Sequence, residues 1–354
     1  EHGFETFGHV IDESYDSVID YEPRLVAIGK ILQTLHNDYK QGKQLFADAV
    51  SKPDVGHHTR RDAQCGRQHR CDDPAGDAAW LAHLAPRFQA LGLTPPTQLR
   101  EIYRSFVVSD DVFALLLELR PAVVSFHFGL PAPAWITALR QAGIVTLATA
   151  TCLAEARQIE AAGVDAIVAQ GIEAGGHRGM FDPSAPDEGL STLVLLQRLR
   201  RETRLPLIAA GGLMDGAGIR AALALGAVAA QLGTAFVLCP ESAADAAYRA
   251  ALQSGRAEHT RLTSVLSGRP ARGLLGPFIA EGEQLPAGLA PAAYPRAYDA
   301  AKQLHAAASR GGRSDEATQY AAHWAGQGAP LARALPAAEL VDALVAELAL
   351  PAQA

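Results

Sequence analysis

The sequence predicts an α/β fold built on a parallel sheet, and three observations carry that expectation. Between about residue 78 and residue 234, short apolar runs alternate with capped, helix-like stretches. The runs are apolar throughout rather than at every second residue, as strands covered on both faces require. Glycine-bearing loops follow three of them, where ligands collect in parallel β folds. The repeat, about 20 to 40 residues, suits either a (β/α)8 barrel or a doubly wound sheet.

The elements follow in chain order. Residues 1–52 mix aromatic and acidic side chains, then set Leu25, Ile28, Ile31, Leu32 and Leu35 at helical spacing, which predicts one helix over 25–36. Residues 53–77 hold four Arg, five Asp and three His with hardly an apolar side chain, and read as loop or disorder. Buried strands are expected at 122–128, 144–150, 166–170, 207–210 and 228–232. Between them, Ser109 and Asp110 open a helix over 111–119, Thr151 is placed to cap 152–162 before Gly163, and Asp215 caps a helix stopping at Gly226. Residues 240–354 are Ala-rich and helical in pattern, interrupted by a long Gly/Pro-rich loop over 269–289. They end in an amphipathic helix carrying Leu340, Leu344, Val345 and Leu348 on one face. Three parts are expected: an atypical segment 1–77, βα units 78–239, and a helical cap with C-terminal helices 240–354.

Composition narrows the function. With 49% hydrophobic and 19% charged residues, the 354-residue chain can bury a sizeable core, which excludes global disorder. The net charge of −7, from 31 basic and 38 acidic residues, offers no bulk attraction for nucleic acid or anionic membrane. Small-molecule partners come first. Cys65, Cys71, Cys152 and Cys239 form no CxxC pair, so neither a disulfide framework nor a zinc ribbon is supported, and a reducing cytoplasm fits. No apolar run reaches the roughly 18 residues that span a bilayer, and no secretory signal pattern opens the chain. The His57, His58, Cys65, His69, Cys71 cluster matches no common zinc spacing and lacks apolar neighbours, so no metal is expected.

Three loops carry candidate chemistry. In 170–179, Gly175 and Gly176 let backbone approach a ligand and His177 supplies a titratable group. The loops Gly211-Gly212 and Gln231-Leu232-Gly233-Thr234 stand about 20 residues apart after successive strands, where backbone NH groups form an anion site for a cofactor phosphate. No GxxxxGK[ST] occurs, so a P-loop is unsupported. His127 lies near the carboxyl end of its strand, and Tyr294, Tyr298 and Lys302 recur at i, i+4, i+8, sharing one helical face. By spacing alone, the former reads as a core histidine and the latter as a packing stripe.

Six stretches together resemble the class I nitronate monooxygenase family, formerly called 2-nitropropane dioxygenase. They are GVDAIVAQGIEAGGHRG (163–179), PLIAAGGLMDG (206–216), AAQLGTAF (229–236), SGRPARGL (267–274), YPRAYDAAK (294–302) and WAGQGAPLAR (324–333). The resemblance spans roughly residues 78–350, with the AGGHRG and YPxxYDxxK stretches most specific. It implies a TIM (β/α)8-type barrel with a helical domain, binding FMN without metal and oxidising alkyl nitronates with O2 to a carbonyl compound and nitrite. It places the active-site histidine at His177 and a second near the flavin at His127. FMN contacts fall on Gln170, Gly175, Gly176, Gly212, Gln231, Gly233 and Thr234, and pocket residues on Tyr103, Tyr248, Tyr294, Tyr298 and Lys302. With a neutral nitroalkane, His177 titrating near pH 7 would serve as general base.

Two rival readings stand beside this one: an FMN-dependent NAD(P)H:quinone or enoyl reductase on the same barrel, and a non-catalytic chimera that binds no flavin. The second arises because only five of eight barrel strands are legible. The family's first strand, resembling PIIQAPM, and a third carrying an FMN-touching asparagine are not found, so residues 1–77 read as foreign to the barrel through fusion, misassembly or a frameshift.

Overall fold

A computed structural model describes residues 73–103 and 109–349, with the backbone of a two-residue strand β1 (Gly8–His9). The helix expected at 25–36 and the His57–Cys71 cluster lie outside the described residues. In order follow α1 (Pro74–Ala90), α2 (Asp110–Leu119), β2 (Val123–Phe126), α3 (Pro133–Gln141), β3 (Val145–Ala150), α4 (Leu153–Ala161), β4 (Ala166–Gln170) and β5 (Gly176–His177). Then come α5 (Thr192–Glu202), β6 (Leu207–Ala210), α6 (Gly216–Ala224), β7 (Ala229–Leu232), α7 (Ala246–Leu252), β8 (Thr260–Thr263) and β9 (Ala271–Leu274). The chain closes with α8 (Pro277–Gly282), α9 (Arg296–Arg310), α10 (Ser314–Gln319) and α11 (Ala337–Ala349).

Strands β2, β3, β4, β6 and β7 form one parallel sheet in that order, with β1 antiparallel on β7. All five expected parallel strands are present. Side chains alternate between two buried layers, which is why the runs show no polar face. Leu147, Ala166, Val168, Ile208 and Ala210 pack on one side. Ala148, Ala150, Ile167, Ala169, Leu207 and Ala209 pack on the other against the helices, with Leu195, Leu196, Leu199 and Ile219. Helix α11 returns to this layer through Leu340 and Leu344, and Glu347 accepts a bond from Gly216 N at 2.9 Å. No helix among the described residues is long and apolar enough to cross a membrane.

Local chemistry sets the ends of the elements. Asp73 caps α1 through Gly76 N with Pro74 at the first turn, and Asp215 caps α6 through Gly218 N at 2.7 Å. Thr151 caps nothing: its amide and hydroxyl donate to the buried Glu155 carboxylate at 2.6 and 2.7 Å, and α4 starts after Cys152.

Three expectations are corrected. Helix α1 begins at Pro74, inside the stretch read as loop, because the Asp-Pro pair nucleates it despite few apolar residues before Trp80. Nor does α1 join the βα layers: Trp80, Leu84 and Phe88 recur on one face and bury against Phe278, Ile279, Ala297, Ala300, Ala301 and Leu304 of the cap. The region after residue 240 is mostly helical, as expected, and also holds β8 and β9, which pair antiparallel, with β9 pairing to β5. The stretch read as one loop over 269–289 therefore contains β9 and α8.

Candidate active site

Strand register brings the expected loops together. Gln170 stands opposite Ala210 and Ala210 opposite Gln231, so the ends of β4, β6 and β7 form one row. Beyond that row lie Gly211-Gly212 and Gly233-Thr234. Gly212 has φ +72°, a conformation that favours glycine, and both Gly212 and Gly233 are exposed. The amides of Gly212, Gly233 and Thr234 find no acceptor among the described residues, and nothing lies within 4 Å of a Cβ built at Gly233. Outward-facing amides on adjacent strand tips can hold a phosphate. Thr234 Oγ1 accepts from Gly326 N at 3.0 Å and keeps its own proton to donate.

The loop after β4 is fastened from several sides. Gln170 Nε2 donates to His177 O at 2.9 Å, while its Oε1 accepts from Gly179 N at 2.8 Å. Arg178, fully buried, donates to the Gln170 and Gly171 carbonyls and forms a two-bond pair with Asp187 at 2.8 and 3.0 Å. Gly175 approaches the Ala325–Gly326 backbone so closely that a Cβ would sit 2.5 Å from Gly326 N. Gly176 and His177 then pair with Arg272 and Ala271.

His177 is 9% exposed and sits among rings: Phe128, Tyr294, Tyr298 and Trp324 lie with centroids 5.6, 5.4, 5.9 and 5.3 Å away. Its Nε2 lies 3.0 Å from Ser267 Oγ. Burial, with smaller contributions from His127 and the Arg269 guanidinium, pushes its pKa down to about 3. The expectation of a histidine titrating near pH 7 is thus corrected: this imidazole is neutral at pH 7.

His127 follows β2 and stands between Thr149 Oγ1 at 3.0 Å from Nδ1 and His177 O at 3.2 Å from Nε2. A carbonyl only accepts, so Nε2 carries the proton and Nδ1 accepts from Thr149. Burial pushes this pKa down to about 4. The side chain is nonetheless partly open to solvent.

On the cap side, Asp299 is buried and accepts from Arg100 N at 2.9 Å and Arg100 Nη2 at 3.3 Å, which brings Tyr103 to α9. There the Lys302 ammonium donates to Tyr103 OH and lies 5.8 Å from the Tyr298 ring centre. Trp324 Nε1 donates to Tyr298 OH at 2.8 Å. Tyr294 precedes the first turn of α9, so the three-residue stripe is not wholly helical, yet its ring stays 6.2 Å from that of Tyr298. Tyr248 stands one step away, stacked on His323 at 4.7 Å and donating to Trp324 O.

A family model for nitronate monooxygenase matches residues 100–347. The chain belongs to the nitronate monooxygenase family. It is 57% identical over 276 residues to a nitronate monooxygenase of Paraburkholderia phytofirmans, covering 78% of this chain and 74% of the relative. It is 53% identical over 277 residues to one of Pseudomonas aeruginosa, covering 78% and 77%. A solved nitroalkane oxidase from Streptomyces ansochromogenes superposes with a TM-score of 0.68 at 42% identity over 78% of this chain and 77% of that one. FabK from Thermotoga maritima superposes at 0.53 with 29% identity, covering 68% and 73%. The fold class is the TIM (β/α)8-type barrel, and the chain is that of an oxidoreductase family.

Around His177, sequence reasoning missed Phe128, Ser267, Arg269 and Trp324. Phe128 takes φ +71°, costly for a bulky residue, and holds the Arg269 guanidinium 4.1 Å from its ring centre. Arg269 is 2% exposed, donates to Met180 O and leaves Nε without a partner, and burial pushes its pKa down to about 10. Ser267, Arg269 and Trp324 lay inside the resembling stretches, which was the available signal.

Proposed function

We propose that this chain binds FMN and oxidises alkyl nitronates with O2, releasing a carbonyl compound and nitrite. The observation that carries the reading is that unpaired amides on the tips of β6 and β7 adjoin the tip that presents His177 in its ring of aromatics. The donor set fits the cofactor: Gly212, Gly233 and Thr234 would hold its phosphate, while Gln170, His127 and His177 would line the ring. Bound FMN would supply the electron-accepting and O2-reacting chemistry.

The chain's own residues bind and orient substrate. A neutral imidazole offers no charge to a nitronate, so the anion is met by the Lys302 ammonium and the phenols of Tyr103 and Tyr298. Phe128, Tyr294 and Trp324 exclude water and strengthen those bonds. The same neutral imidazole favours a second substrate form, the uncharged nitroalkane. His177 would take the α-proton, the C–H electron pair would become the C=N bond of the nitronate, and the two new charges would balance.

We assign the protein to a reducing cytoplasm, in keeping with free thiols at Cys152 and Cys239. The test is to purify the full chain, add FMN and mix it with a primary alkyl nitronate in air. Bound yellow flavin, oxygen consumption and nitrite release are expected. Anaerobic bleaching by NADH with no nitrite would instead establish the reductase, and a colourless protein after adding FMN would establish the non-catalytic chimera.

A further inference from the structure

We infer that Ser267 is a positioning residue that fixes which nitrogen of His177 faces the substrate. Its hydroxyl has one proton and two lone pairs, and the structure commits them. Oγ lies 3.0 Å from Arg269 O, a pure acceptor, and 3.3 Å from Arg269 N, a pure donor. The proton therefore goes to the carbonyl, one lone pair takes the Arg269 amide, and the remaining one faces His177 Nε2 at 3.0 Å. Nε2 must carry the imidazole proton, which leaves Nδ1 as a bare lone pair. Sending the hydroxyl proton to His177 instead would strand the Arg269 carbonyl beside a fully buried serine, at a cost of about 1–3 kcal/mol.

The arrangement is rigid because both partners belong to one ribbon. Arg178 N donates to Pro270 O at 2.8 Å, and the next pair in register is His177 with Ala271. His127 Nε2 and Gln170 Nε2 both donate to His177 O, so the backbone bearing the imidazole is held from the barrel side as well. The Arg269 guanidinium donates to Met180 O, which holds the residue that commits the Ser267 hydroxyl in place.

The inference rests on the reading of His177 as the group that handles the substrate proton. Its test therefore includes a readout independent of turnover. Nitrogen-15 NMR of the FMN-loaded enzyme labelled at histidine distinguishes a bare ring nitrogen from a protonated one, the His177 signals being assigned by their loss in His177→Gln. The wild-type enzyme is expected to show a bare Nδ1 and a protonated Nε2; a protonated Nδ1 would overturn the inference whether or not any variant folds. In Ser267→Ala the Nδ1-protonated form should appear, with kcat on a nitroalkane falling about tenfold or more and KM little changed. Ser267→Thr, which keeps the hydroxyl, should restore both. An unchanged tautomer in a folded Ser267→Ala enzyme would refute the role. A tautomer that shifts in an enzyme that turns over neither nitronate nor nitroalkane would uphold Ser267 and discard the functional reading.

Discussion

His177, His127 and His323 share one property with a measurable consequence: burial holds all three imidazoles below the ordinary histidine range, to about 3, 4 and 4. The folded chain keeps them neutral, whereas the unfolded chain takes up protons below about pH 6.5. Stability should be full above that pH and fall as pH drops toward 4, by at most about 1.4 kcal/mol per pH unit for each of the two buried rings, His177 and His323. Urea midpoints at pH 7.5 and 4.5 check this. His323 is a useful probe because neither ring nitrogen has a hydrogen-bond partner among the described residues. Replacing it with Phe should raise the urea midpoint by about 1 kcal/mol equivalent and flatten the acid limb. At the pocket, Lys302→Met should raise KM for a nitronate about tenfold while FMN stays bound, since it deletes a charge-assisted donor. His177 was singled out by its glycine loop after a strand, whereas spacing alone gave His127 as a core histidine and only the family resemblance placed it near a flavin. Ser267 and Arg269 were not legible, because they reach His177 through antiparallel pairing across a separation of 90 residues, which leaves no local periodicity.

Among the elements, the parallel strands were the most legible, since runs buried on both faces betray themselves by composition. Helix α1 shows the limit. It was not read from the sequence, and Trp80, Leu84 and Phe88 at helical spacing would not by themselves name their partner, which is the cap rather than the barrel. Leu84 is fully buried in that contact, so Leu84→Ala should cost about 2–5 kcal/mol in urea unfolding while leaving the βα layers untouched. The short strands β5, β8 and β9 escaped because a stretch such as Ala271–Leu274 carries two glycine or arginine positions that resemble loop.

For the whole molecule, helix α11 is tied to the start of α6, just beyond the Gly211-Gly212 loop. Glu347 accepts from Gly216 N at 2.9 Å and pairs with Arg333, Arg220 donates to Glu347 O at 2.9 Å, and Leu340 and Leu344 are fully buried. Deleting residues 337–354 would uncover that apolar face and free the first turn of α6. The truncated protein should lose FMN more readily and aggregate, checked by flavin fluorescence and sedimentation. The cap is joined to the barrel in the same distributed way, through the β5–β9 ribbon and the Ala325–Gly326 approach to Gly175. The address of the imidazole is therefore written far downstream of the histidine itself. Successive side chains on a strand point to opposite sides. Sliding β9 by a single position along β5 would change the residue opposite His177 and carry the turn that holds Ser267 away from the imidazole. An insertion between Thr263 and Ala271 should therefore break the Ser267–His177 contact without altering either residue.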